Sequence, residues 1–176
     1  CDQILVPRFE TLKKNEEFCT RFWGLPDIVR NTYPDASLLS YDLQGHKPDS
    51  EWHGFLQMGK FLGKSYRSAK QEQQRTDHLK EESQRKLLSA KAPKILVVSQ
   101  SYIIHDAYIG KPLTRMLREQ GGTLIFADEC DRQVCRAKAK SLSRDLYWAL
   151  NEEIIGAIPL MKNTVDGILL ITSFPC

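Results

Sequence analysis

Cys1, Cys19, Cys130, Cys135 and Cys176 are the residues of this sequence with the widest chemical range. A thiolate is both a nucleophile and a soft metal ligand. Five is an odd number in a 176-residue chain, which is large enough to fold without a disulfide framework, and the pattern predicts a reducing cytoplasm. Each cysteine is then either a small buried hydrophobe or a metal ligand. No Cys-x-x-Cys pair occurs. The Cys130-x4-Cys135 spacing puts one thiol in a loop and the other on the following helix, which favours two unliganded thiols over a chelate. His105-Asp106 offers a general acid/base or an oriented metal ligand, since a carboxylate can hold an imidazole in one tautomer. Adjacent residues rarely face each other, however, so shaping the loop is an equally good role. Tyr147-Trp148 could stack on a planar ligand, although Leu146 and Leu150 beside them point to a core position for Tyr147.

The usual phosphate sites are missing. There is no GxxxxGK[ST] loop and no GxGxxG after a strand, so this sequence carries neither a P-loop nor a dinucleotide fingerprint, and an ATP site would have to lie elsewhere. Gly121-Gly122 precedes a strand and suits a helix C-cap.

These residues need elements to position them. Gln3 to Pro7 reads as a short strand, followed by a charged loop over Lys13 to Glu17 that delivers Cys19. Leu25, Pro26, Ile28 and Val29 predict a short helix after Gly24 with Pro26 in its first turn. Ser37 to Leu43 reads as a second strand, and from Ser50 the spacing of Trp52, Phe55, Leu56, Met58, Gly59 and Leu62 predicts a packed helix. Further on, Ile95 to Val98 is a buried strand and a helix starts near Gly110 with Leu113, Met116 and Leu117 inward. Thr123 to Ala127 is the next strand, and Asp131 to Leu142 a basic helix. Leu146, Tyr147, Leu150, Ile154, Ile155 and Ile158 mark another helix, and Val165 to Thr172 is the last strand. This alternation predicts an α/β fold, a parallel sheet covered on both faces and built from βαβ units. Ligands in such sheets collect beyond the carboxyl ends of the strands. That rule groups Cys19, Ser99, Tyr102, His105, Asp106, Asp128, Cys130, Ser173 and Cys176 as candidates.

Residues 64–94 differ from the rest, with nine Lys or Arg against four Asp or Glu. Glu81 with Arg85 and Glu82 with Lys86 stand at i, i+4 in the helix-supporting order. No apolar residue falls between Ala69 and Leu79, so the stretch reads as an exposed charged helix linking two packed units and ended by Ala92-Pro93. Phosphate or nucleic-acid binding is the sharper reading of its basic face, but mixed charges at helical spacing are an ordinary solvated surface. The whole chain carries 25 basic and 22 acidic residues, a net +3 that does not suit a dedicated nucleic-acid binder. No apolar run reaches the roughly 20 residues of a membrane span. The start at Cys1 and the finish at Phe174-Pro175-Cys176 predict an excised piece of a longer protein.

Several stretches carry a family resemblance. Ser99-Gln-Ser-Tyr-Ile-Ile-His-Asp106, Leu146-Tyr-Trp148, Ile154-Ile-Gly-Ala157 and Val165-Asp-Gly-Ile-Leu-Leu-Ile-Thr-Ser-Phe-Pro-Cys176 resemble the accessory region of 2-hydroxyacyl-CoA dehydratase activases. That region is similar to a domain of unknown function related to the dehydratase D-component. Cys1-Asp-Gln-Ile-Leu-Val-Pro-Arg8 resembles the family's strand ending in Pro-Arg, and Cys19 with Trp23-Gly-Leu-Pro-Asp27 resembles its following cysteine loop. The resemblance implies two Rossmann-like parallel-sheet units, both incomplete, joined by a long polar helix: residues 1–63, a linker over 64–93, and residues 94–176. It also implies an iron-sulfur cluster in the full-length protein, with Cys19 and Cys176 as metal ligands and a further cysteine upstream of Cys1. The family has Pro after the first of these cysteines where this chain has Thr20.

The implied role is an accessory module in ATP-driven electron transfer in an anaerobe. Its partners would be an ATPase region of the same or another chain and a dehydratase or related reductase, with no nucleic acid and no membrane. A non-redox docking or regulatory module with structural cysteines is the alternative, and a flavodoxin-like domain binding a small cofactor is a third class. The resemblance assigns no role to Cys1, Cys130, Cys135 or His105.

Overall fold

The computed structural model describes residues 3–13, 16–44, 50–91, 93–144 and 146–173. Helices dominate, and the strands are short and mostly parallel, as expected of incomplete Rossmann-like α/β units. The chain divides into two compact units, one of residues 1–76 with 147–149 and one of residues 77–146 with 150–176.

The first unit contains β1 (Ile4–Leu5), β2 (Arg8–Lys13), β3 (Glu16–Glu17), α1 (Thr20–Thr32), β4 (Leu38–Leu39), β5 (Asp42–Gln44) and α2 (Ser50–Phe61). β1 pairs with β4 and β2 with β5, both in parallel. Backbone bonds of 2.9 Å from Ile4 N to Ser37 O and from Val6 N to Leu39 O hold the first pair, and one from Arg8 N to Tyr41 O opens the second. Pro7 has no N–H to give and falls where strand geometry is interrupted. Where a charged loop is expected over Lys13 to Glu17, the described residues Lys13, Glu16 and Glu17 belong to strands, because β2 also pairs antiparallel with β3. The cause is aromatic packing. Phe9 lies 5.1 Å from Phe18 and 6.3 Å from Phe22, ring centre to ring centre, so a sequence of alternating charges still has an anchored inner face.

α1 begins at Thr20, several residues before the expected start, so Pro26 lies well inside the helix and is buried. Its ring fills core space at the loss of one helical bond to the Phe22 carbonyl. Arg8 reaches Asp27 at 2.9 Å and Asp42 at 3.3 Å, tying the strand to the helix and to its neighbour strand. The helix expected from Ser50 is present as α2. Its Trp52 stacks on Phe55, and Gly59 lies against Ala69 of the long helix α3 (Tyr66–Leu88).

α3 follows the charged stretch. Most of its described side chains are exposed, while Leu87 and Leu88 pack on the core of the second unit. Ala92, expected to help end this stretch, lies outside the described residues.

The second unit continues with β6 (Lys94–Val98), α4 (Ser101–Ile104), α5 (Gly110–Glu119), β7 (Thr123–Phe126), a 3-10 turn at Ala127–Glu129, α6 (Arg132–Ala139), α7 (Ala149–Met161) and β8 (Gly167–Leu170). All three strands are parallel in the order β7-β6-β8. Leu96, Val97 and Val98 are buried because helices cover both faces of β6. Ile154, Ala157 and Met161 of α7 pack with Leu96, Val98 and Ile125, whereas Ile104 and Leu117 pack with Val97, Leu124 and Phe126. The Gly121-Gly122 cap forms as expected: Gly121 has φ 85°, and Gly122 N donates to Leu117 O at 3.0 Å. Asp131 caps α6 by accepting from Val134 N at 2.9 Å. The helix expected from Leu146 starts at Ala149 instead. Tyr147, expected in the core, is exposed; it donates to Glu17 Oε2 at 2.6 Å within the first unit. That carboxylate acceptor raises the Tyr147 phenol above its ordinary value.

Candidate functional site

The chain leaves β6 for β7 on one side and returns to β8 on the other, so β6 is the strand about which the connections change direction. In open parallel sheets the crevice at the carboxyl end of such a strand is where ligands bind. Ser99, Gln100 and Ser101 follow β6, and Asp128 follows β7. Adjacent parallel strands thus bring two loops together, although their residues are far apart in sequence.

Asp128 is the centre of this edge. Its Oδ2 accepts from Ser101 Oγ at 2.7 Å and faces His105 Nε2 at 3.0 Å. A carboxylate oxygen accepts here, so Nε2 is the donor of this contact. The ring of His105 also lies against Phe126, 5.7 Å between centres. This carboxylate-oriented imidazole can act as a general base or as one ligand of a metal. Ser101 and His105 share one carboxylate oxygen, which is not the relay order that would let the imidazole take a proton from the serine.

The expected His105-Asp106 pair takes the loop-shaping alternative for Asp106. Its Oδ1 accepts from Tyr108 N at 2.8 Å and Ile109 N at 2.9 Å. Those backbone donors hold its carboxyl below the ordinary value of 3.8. Sequence reasoning named both His105 and Asp128 but paired neither with the other. Tyr102 lies on this edge with an exposed ring, and Ser99 is buried. Ser173 is the last described residue beyond β8.

Cys130 and Cys135 are free, buried thiols. The Cys130 thiol contacts the Phe126 carbonyl at 3.6 Å. Its hydrogen bond with Cys135, its burial and the nearby carboxylates of Asp128 and Glu129 all push it upward, so it stays protonated and is a poor ligand or nucleophile. Gly156 explains the tight fit here: a Cβ on it would lie 1.9 Å from the Cys135 carbonyl oxygen, so only glycine lets α7 cross α6 so closely. Nearby, Glu153 is buried between Arg132 and Arg136.

Cys19 belongs to the first unit. It occupies the N-cap of α1 with extended backbone, makes no side-chain cap bond, and is partly exposed as a free thiol. Its carbonyl accepts from Phe22 N at 3.0 Å. A reachable thiol on a loop after a strand suits a metal ligand, but one thiol cannot hold a cluster by itself. Cys176 and Cys1 lie outside the described residues. Among the described residues no three His, Cys, Asp or Glu side chains converge as a metal site.

A groove of about 380 Å³ runs along the outer side of β7, lined in part by Leu87, Arg118, Leu124 and Phe126. Arg118 holds its guanidinium 5.8 Å from the Phe126 ring centre.

A family model described as the CoA enzyme activase uncharacterised domain matches residues 1–130. The chain belongs to that family. The match takes in residues 1–76 of the first unit and, in the second, runs through the rest of α3 and past Asp128 to Cys130. The CoA enzyme activase family therefore includes both the Cys19 loop and the His105–Asp128 pair within its matched region. Comparison with the curated proteins and with the solved structures returned no match to this chain. Among the described residues no helix is long and apolar enough to cross a membrane.

Proposed function

We propose that the chain is an accessory module of a cytoplasmic CoA enzyme activase in a 2-hydroxyacyl-CoA dehydratase system, supplying thiolate ligands to an iron-sulfur cluster used in ATP-driven electron transfer. The supporting observation is the match of residues 1–130 to the activase family, taken with the free, partly exposed Cys19 thiol inside it. Cys19 and Cys176 would hold the cluster together with ligands from elsewhere. When bound, the cluster supplies one-electron chemistry. The chain's own part is to offer Cys19 from the start of α1, where the Arg8 to Asp27 ion pair fixes the helix against its strand. An ATPase region and a dehydratase or related reductase are the partners this reading requires.

Anaerobic purification of the full-length protein, with iron and sulfide analysis, tests it. Bound iron and sulfide, with both lowered in Cys19→Ala and in Cys176→Ala, is the expected result. Absence of iron, or unchanged iron in both variants, would sink the reading. The second reading is a non-redox docking module, favoured by the burial of the Cys130 and Cys135 thiols and by the upward push on the Cys130 thiol. Capture of the ATPase region by an iron-free chain would support it over the first.

A further inference from the structure

We propose that the groove on the outer side of β7 binds a small organic monoacid, with its carboxylate on Arg118 and a short apolar tail along Leu87, Leu124 and Phe126. The groove lies wholly within the second unit and holds about 380 Å³, the size of a small-molecule site. Its place follows from the strand order. β7 is an edge strand, so no strand lies on its outer side, and the walls come from α3 through Leu87 and from the last turn of α5 through Arg118. Gln84 Nε2 donates to the Glu129 carbonyl at 2.5 Å, which fixes the α3 wall to the turn that follows the strand.

Arg118 decides the charge of the ligand. Its guanidinium lies 5.8 Å from the centre of the Phe126 ring, a cation–π contact that places the group without using its N–H fork. Among the described residues no carboxylate is paired with it. A planar fork of this kind meets a carboxylate at two points. Leu87, Leu124 and Phe126 make the adjoining surface apolar, so the anion that fits carries a hydrocarbon tail and is not a bare ion. Glu129 also lines the groove, and an acid there disfavours a second negative charge on the ligand. A phosphate cradle would need a glycine-rich turn that opens a helix after a strand, whereas Gly122 precedes β7. A monocarboxylate with an aliphatic tail remains. No residue of this groove is part of the Cys19 proposal, so either can fail without the other.

Titration of the whole chain with hexanoate, followed by NMR of the leucine methyl groups, tests the inference. Saturable shifts of Leu87 and Leu124 at millimolar hexanoate are expected. Acetate, which keeps the charge without the tail, and hexan-1-ol, which keeps the tail without the charge, should each bind at least tenfold more weakly. Arg118→Gln should weaken hexanoate at least tenfold with an unchanged circular dichroism spectrum, while Arg118→Lys, which keeps the charge but not the fork, should fall between the two. Should the glutamine variant fail to fold, the comparison of the three ligands on the unaltered chain decides. No saturable shift of Leu87 and Leu124, equal affinity for hexanoate and hexan-1-ol, or full affinity in folded Arg118→Gln would each overturn the assignment. So would tighter binding of hexyl phosphate, which would make the site one for phosphoryl groups.

Discussion

His105 Nε2 sits 3.0 Å from the carboxylate of Asp128, 23 positions away, and not against its neighbour Asp106. Removing that carboxylate strands two donors at once, Ser101 Oγ and His105 Nε2. Both donors are exposed and water can take the place of the lost acceptor, so Asp128→Ala should cost about 0.5–1.5 kcal/mol of stability. Asp128→Asn, whose amide oxygen can still accept, should cost less than half of that. Urea melts of the two variants measure the difference.

Asp106 gives a pH dependence of known sign. Its folded value is depressed by the Tyr108 and Ile109 backbone donors. The stabilisation is then fully present above the unfolded value near 3.8 and is lost as pH falls through the lower folded value. Asp106→Ala should be less stable than the parent at neutral pH, and the gap should close in acid. Stability curves of both proteins from pH 7 to about pH 2 check this.

Two glycines should respond oppositely to alanine. Gly156→Ala forces a Cβ into the Cys135 backbone, with its oxygen 1.9 Å away, and should cost about 3 kcal/mol or more as α6 and α7 part. Gly24→Ala, inside α1 with nothing within 4 Å of the added carbon, should stabilise by about 0.5–1 kcal/mol through helix propensity. Thermal melts of the pair separate a packing effect from a backbone effect.

The described thiols should differ in accessibility. Cys19 is partly exposed and Cys130 and Cys135 are buried, so iodoacetamide under native conditions should modify Cys19 first. Cys130 and Cys135 should react only on denaturation. Mass spectrometry of peptides at successive times gives the order, and early labelling of Cys130 would contradict the packing described above.

Glu153 lies between two arginines, with Arg136 nearly as buried as the acid itself. Arg136→Met leaves the carboxylate with the more exposed Arg132 alone. A loss of about 3 kcal/mol is expected, since half a buried pair is worse than none. Glu153→Gln in the same background should restore part of that loss, as a double-mutant cycle would show.

Much of the second unit was legible because its signals are local. The run Ile95 to Val98 and the Gly121-Gly122 cap each declare an element within a few residues. β2 and β3 were not legible, since Arg8, Glu10, Glu16 and Glu17 mask an inner face that exists only once Phe9 meets Phe18 and Phe22. The start of α1 was missed for a related reason: Pro26 looks like a first-turn residue until its burial is known. For the site, strand order correctly grouped His105 with Asp128 at one edge. Their contact was beyond reach, because it depends on how far each loop extends past its strand. Tyr147 misled because Leu146 and Leu150 suggested a helix face, whereas the helix begins after it.

β6 is the first strand of its sheet to leave the ribosome and the one that ends in the middle. Its partners lie on later strands, and the Lys94 N–H waits for Asp166, 72 positions on. Until β7 and β8 have both been made, Leu96, Val97 and Val98 have no sheet to join and stay sticky. Slow synthesis or truncation before β8 should thus leave a chain that associates with itself through this one segment, making β6 the point where a chaperone has most to protect.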